Sequence, residues 1–101
     1  MSIRQIAAAA ALVVVAGAAQ ATDLSKIRYM AANCANCHGT DGKAVGAGAL
    51  SIAGWERGRF IETMTAYKNG TRAATLMHQI SKGYSDEQIA QLADYFAAQK
   101  K

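Results

Sequence analysis

Proline is absent from this chain, so no loop has its φ angle fixed by a ring. Cysteine occurs twice and histidine twice, as Cys34, Cys37, His38 and His78. At most one disulfide is possible, and a Cys2His2 zinc site would need all four of those residues. Strand patterns of convincing length are missing, and so is any internal repeat. Only one long apolar run occurs, over residues 6–19, and no second one follows it. These absences leave an all-α domain with no room for a disulfide-rich scaffold or a repeat array.

The single apolar run has a local explanation. Arg4 precedes it, and Ala19-Gln20-Ala21 follows it as an A-x-A cleavage site. At 14 residues the run is short of the roughly 20 that a membrane span requires. The sequence therefore predicts a secretory signal peptide over residues 1–21, with an uncleaved anchor as the alternative. The mature domain, residues 22–101, should be exported and should carry no membrane span. Arg4 is the only charge in the leader, so its removal takes the net charge from +4 to +3. That modest excess points to neither nucleic acid nor a polybasic membrane segment, although a local basic patch can steer an acidic partner.

What is present centres on five residues, Cys34-Ala35-Asn36-Cys37-His38. Two cysteines three apart with a histidine directly after the second form the attachment signature of c-type haem. Positions i, i+3 and i+4 share one face of a helical turn, so all three side chains can reach one macrocycle. Each thiol would form a thioether with a haem vinyl group, and His38 would supply an axial nitrogen. Two other readings compete. Cys34 and Cys37 could simply form a disulfide in an oxidising compartment; a redox-active pair would sit at a helix start after a strand, and no such strand pattern occurs. Zinc would have to be held by Cys34, Cys37, His38 and His78, at a spacing foreign to zinc fingers.

Size favours the haem reading. Residues 22–101 make one small domain, and such domains are marginal on a hydrophobic core alone. They usually carry a disulfide, metal or cofactor. A haem offers a large apolar plate for helices to pack around.

In chain order, Thr22 or Asp23 can cap a first helix whose apolar positions are Leu24, Ile27, Ala31 and Cys34. That helix should run straight into the haem motif, and Met30 on it reads as packing. Gly39-Thr40-Asp41-Gly42 breaks it, and residues 43–54, with Gly46, Gly48 and Gly54, read as a loop passing close to the cofactor. A second helix is predicted over residues 56–68, with Phe60, Ile61, Met64 and Tyr67 on its stripe and Asn69-Gly70 as its stop. Trp55 and Tyr67 read as core, with a hydrogen bond to a propionate or to the axial sulfur as the functional alternative. A short helix is expected from residue 71 to about Gly83. Ser85 and Gln88 form a capping box for a last helix with Ile89, Leu92, Ala93 and Phe96 inward, and Lys100 and Lys101 suit its C-terminal dipole.

The sixth iron ligand decides the chemistry. A thioether opposite histidine closes the iron and suits electron transfer. Met30 is too near Cys34 on the same helix to bend back. Met64 lies on an apolar stripe, where methionine is ordinarily core. Met77, well beyond His38 and on a short helix, is best placed to return across the other face. His78, its neighbour, would give a bis-histidine site and otherwise reads as exposed. If Met77 does not ligate, a gas-binding haem protein or a small peroxidase using His78 becomes the rival.

Residues 29–98 resemble the small bacterial class I c-type cytochromes. The resemblance rests on Cys34-Ala-Asn-Cys-His-Gly-Thr-Asp-Gly42, Ile52-Ala-Gly54 and Asn69-Gly-Thr-Arg-Ala-Ala-Thr-Leu-Met77. Lys82-Gly-Tyr-Ser-Asp-Glu87 and Leu92-Ala-Asp-Tyr-Phe96 extend it and are most similar to the cytochrome subunit of flavocytochrome c, a sulfide dehydrogenase. The resemblance implies a small all-α class I cytochrome c fold with one covalent haem c on Cys34 and Cys37. It also implies His38 and Met77 as axial ligands, a periplasmic location and electron transfer rather than catalysis. The implied partner is a redox protein, in the closest subfamily a flavoprotein subunit; a free carrier serving a terminal oxidase or reaction centre is the alternative. The chain departs from the pattern where relatives carry proline. Leu50 stands at the loop position whose carbonyl accepts the proximal histidine N–H, and Ala73 stands before the methionine. A carbonyl is present whatever the side chain, so the first bond can survive.

Overall fold

The computed structural model describes residues 23–46 and 50–101. The leader expected over residues 1–21, its cleavage point before Thr22, and Gly48 lie outside the described residues. Helix α1 spans Leu24–Ala31. Its N-cap is Asp23, whose carboxylate accepts from the Ser25 hydroxyl (2.6 Å) and the Ser25 backbone N–H (3.1 Å). Those bonds, the hydroxyl's first, hold the Asp23 carboxyl below the usual carboxylate range. Ile27 and Ala31 are buried, and Leu24 and Cys34 pack against the core from the same stripe.

The chain then tightens through a 3-10 turn, Ala32–Cys34, and resumes as the single turn α2, Ala35–His38. The helical path therefore does run into the cysteine motif, with one narrowed turn at the junction. Gly39 stops it at φ 82°, and a 3-10 turn over Thr40–Gly42 follows. Gly42 is buried, and its carbonyl accepts from both Ile52 N–H (2.8 Å) and Ala53 N–H (3.1 Å). A third bond, from Ala44 N–H to the Ser51 hydroxyl (2.9 Å), closes the base of the loop. Close packing is thus realised at the loop's two ends, while Val45 stands fully exposed.

Helix α3 covers Arg57–Asn69 and is capped by the Glu56 carboxylate, which accepts from Gly58 N–H (2.7 Å) and Arg59 N–H (2.9 Å). These bonds lower the Glu56 pKa. Phe60 and Met64 are its buried residues, and Gly70 ends it in the left-handed region at φ 77°. Helix α4 is only Met77–Lys82. The sequence predicted a start near residue 71, but residues 71–76 are irregular. Thr71 and Thr75 are poor helix formers, and Leu76 at the N-cap offers no side-chain bond, so the helix begins only where Ser81 and its neighbours can pack.

Helix α5, Asp86–Ala97, is the centre of the core and packs on both α1 and α3. Ile89, Leu92, Ala93 and Phe96 are at most 1% exposed, as the spacing predicts, and Tyr95 joins them at 5%. Phe96 stacks on Phe60 with centroids 5.6 Å apart and meets Tyr95 edge-on at 5.2 Å. The Tyr95 hydroxyl donates to the Asp41 carboxylate, tying the turn after the cysteine motif to α5. The lysine expectation is corrected: Lys100 and Lys101 lie beyond the helix, whose last turn holds no basic residue. Its free carbonyls are met instead by neutral donors, Gln99 Nε2 on Tyr95 O (3.0 Å) and Gly54 N–H on Phe96 O (2.8 Å).

The capping box is complete, with Gln88 N–H donating to the Ser85 hydroxyl (3.1 Å) and Ser85 N–H to the Gln88 side chain (2.9 Å). Ser85→Ala removes the first bond from the helix on which the core is built. A loss of about 1 kcal/mol in a urea melt is expected; an unchanged midpoint would count against this cap as a support of α5. Among the described residues there is no strand, and the fold is all-α.

Candidate functional site

A cleft of about 560 Å³ opens between the cysteine turn, the loop ending at Trp55, helix α3 and the segment 72–80. Its volume falls within the range usual for small-molecule and cofactor sites. Cys34, Cys37, His38 and Met77, the four residues singled out from the sequence, all line it. So do Leu50, Leu76 and Ile80, which are large apolar side chains left 51%, 60% and 42% exposed by the polypeptide alone. Exposed apolar surface gathered at one cleft marks a place for an apolar ligand.

The imidazole of His38 is fixed by its backbone surroundings. The Leu50 carbonyl hydrogen-bonds His38 Nδ1, so that nitrogen carries the proton and donates it. The remaining nitrogen, Nε2, then keeps its lone pair for a metal. The loop between the two residues folds back through the Gly42 contacts to deliver this carbonyl. Proline is not required for that: the base of the loop is held by three hydrogen bonds instead of a fixed φ.

Cys34 is half-buried and Cys37 exposed, and they form no disulfide with each other. Burial pushes the Cys34 thiol up. A redox-active pair needs the opposite, a thiol lowered by a helix N-terminus or a cation. Zinc fares no better, because among the described residues no three His, Cys, Asp or Glu side chains gather as a metal would need. His78 is not among the residues lining the cleft.

The methionines separate by environment. Met30 packs against the core and is not part of the cleft. Met64 and Met77 both line the cleft, Met64 at 5% exposure and Met77 half-buried. The Met64 sulfur accepts from the Ser81 hydroxyl at 3.5 Å. His78 is not the exposed neighbour the sequence predicts: it is half-buried, and its Nδ1 is fully enclosed without a hydrogen-bond partner.

Trp55 both lines the cleft and packs against the core. Its Nε1 donates to Ser51 O (3.1 Å) and its ring carries the Arg59 guanidinium at 3.8 Å, so the core-side reading of this residue stands. Tyr67 lines the cleft beneath Arg72, whose guanidinium lies 5.5 Å from its ring. Arg59, Thr63 and Arg72 also line the cleft and were not foreseen. The four-residue spacing of Arg59 and Thr63, each just before a buried α3 position, was the available signal.

The donor set suits haem c. Two thiols, one imidazole nitrogen with a free lone pair and two thioethers share a cleft edged largely by apolar side chains. A small all-α domain built around such a cleft is the build of a c-type cytochrome. Residues 21–96 match the family described as cytochrome c oxidase, cbb3-type, subunit III, and the chain belongs to that family of cytochrome c domains. Membership implies covalently bound haem c and electron transfer rather than catalysis.

Curated relatives agree. The chain is 40% identical over 73 residues to the cytochrome subunit of sulfide dehydrogenase of Chlorobaculum tepidum, covering 71% of this chain and 64% of that protein. It is 41% identical over 66 residues to cytochrome c-552 of Acidithiobacillus ferridurans, covering 64% of this chain and 28% of that one. With cytochrome c-554(548) of Halomonas halodenitrificans it shares 34% identity over 70 residues, 66% of this chain and 84% of the relative. The chain thus spans less than two thirds of the first two of these proteins. No helix among the described residues is long and apolar enough to cross a membrane.

Proposed function

We propose that the chain is a periplasmic electron carrier with one haem c, joined to Cys34 and Cys37 and ligated axially by His38 and Met77. The observation that carries this reading is the meeting of those four side chains at one cleft, with His38 Nδ1 held by Leu50 O. When bound, the haem supplies a one-electron couple. The chain's part is to hold both axial donors, keep His38 in the Nε2-available tautomer, and bury most of the apolar plate. A methionine opposite histidine favours the reduced form and needs little ligand rearrangement.

The partner in this proposal is a flavoprotein that oxidises sulfide, with the chain as its cytochrome subunit. Support comes from the Chlorobaculum relative, named as the cytochrome subunit of sulfide dehydrogenase. The second reading is a free carrier delivering electrons to a terminal oxidase; the matched family, described as a subunit of a cytochrome c oxidase, supports an oxidase as the electron acceptor but not a freely diffusing carrier.

The test is the optical spectrum of the mature protein, oxidised and then reduced, after passage through a haem-attachment pathway. Sharp c-type bands on reduction and the weak near-infrared methionine–ferric band on oxidation are expected. Haem bands without the near-infrared feature would remove Met77 from the ligand set, and no haem at all would overturn the whole proposal. Isolation from the native periplasm separates the partners: a co-purifying flavoprotein supports the subunit reading, and a lone cytochrome that reduces an oxidase supports the other.

A further inference from the structure

Two methionines, Met64 and Met77, line the same cleft, and either thioether is chemically able to ligate iron. What distinguishes them lies one turn further along α4. Ser81 is completely buried, the one buried polar residue among the described residues, and its hydroxyl donates to the Met64 sulfur at 3.5 Å. A helical serine has an easy local alternative, bonding back to the carbonyl four residues earlier. Here its bond goes instead to a sulfur on a different helix.

Two consequences follow from the geometry. Ser81 and Met77 are four apart, so they occupy the same face of α4 one turn from each other. Helix α4 has six residues and no side-chain cap, too little to fix its own position. The Ser81–Met64 bond anchors that face on α3. The same bond engages a lone pair of Met64 and keeps its sulfur turned to the α4 side. We infer that Ser81 is a positioning residue that selects the axial methionine: it sets Met77 toward the iron site and reserves Met64 for the core. The inference rests on the proposed ligation by Met77.

The test uses the holoprotein and three readouts, the methionine–ferric band, displacement of the sulfur by added imidazole, and the methionine signals in proton NMR, of which a simple packing role would leave the last alone. In Ser81→Ala the apparent imidazole affinity of the ferric protein should rise about five-fold, the size of one net buried hydrogen bond. Proton NMR of the reduced form should show a second, minor set of strongly upfield methionine signals from Met64. In a Met64→Leu background, adding Ser81→Ala should leave no second set and change imidazole affinity less than two-fold. An unchanged spectrum, affinity and signal set in Ser81→Ala would overturn the inference while leaving Met77 ligation intact. So would a full five-fold effect that persists without Met64, since Ser81 would then be only a helix anchor. A parent protein lacking the methionine–ferric band would overturn the ligation itself, and this inference with it.

Discussion

Replacing Met77 by alanine is expected to abolish the methionine–ferric band, allow carbon monoxide to bind the reduced protein, and lower the reduction potential. The thioether is the one donor of α4 at the cleft, and nothing near it can take its place. Met64 is held by Ser81, and His78 is not part of the cleft wall. Axial ligands set haem potentials over a span of roughly 0.8 V, so the fall should be on the order of 100 mV. Met64→Leu supplies the contrast. It removes a buried sulfur with little change of volume but leaves the buried Ser81 hydroxyl unpaired, so it should cost about 1–3 kcal/mol; the methionine–ferric band should remain and the potential should fall far less than in Met77→Ala. A Met77→Ala protein with the parent's spectrum and potential would move the sixth ligand elsewhere, with Met64 the first candidate.

The parts of this fold that are legible in the sequence are those whose causes are local. Helix α5 carries its own start signal in Ser85 and Gln88 and its own buried stripe, and both appear as the spacing dictates. Asn69-Gly70 ends α3 because glycine takes the left-handed conformation freely. The misses involve partners distant in sequence. Tyr95 lies off the predicted stripe, and its hydroxyl finds Asp41, 54 residues away. Residues 71–76 show no glycine or proline to forbid a helix, yet they stay irregular because no cap precedes Met77. Lys100 and Lys101 fit a dipole argument, but Gln99 and Gly54 reach the last carbonyls first.

The site divides in the same way. Cys34, Cys37 and His38 sit within one turn, so their meeting follows from helical spacing. Leu50 was legible only through the resemblance, because any residue can offer a carbonyl and only the closed loop aims this one. Ser81 left no sign at all. A serine on a short helix reads as solvent-facing, and its burial depends on a sulfur 17 residues earlier. His78 was misjudged for a related reason: the surroundings that enclose its Nδ1 are tertiary.

Gly39→Ala should be the most damaging glycine-to-alanine change among the described residues. Gly39 follows His38 directly and takes φ 82°, ψ 165°, a region essentially restricted to glycine and costly by about 1–3 kcal/mol for other residues. Sterics add to that cost. A Cβ there would lie 2.0 Å from Lys43 O, 2.4 Å from its carbonyl carbon and 2.8 Å from Ala44 Cα. All three are backbone atoms, so no rotamer change relieves the overlap; the turn over residues 39–43 must open. That turn begins the loop whose far end holds Leu50 O on His38 Nδ1, and opening it frees the imidazole to rotate. Stability should fall by about 4 kcal/mol or more, within the range kept for backbone strain combined with overpacking. The yield of haem-loaded protein should drop about tenfold or more with it. Gly46→Ala is the control: its φ is also positive, at 97°, but nothing lies within 4 Å of the added carbon. It should cost about 1–2 kcal/mol from the handedness penalty alone. Urea midpoints and haem content of the two variants, read side by side, test the point. Equal losses would mean that conformational preference, and not the crowded turn beside His38, sets the requirement for glycine.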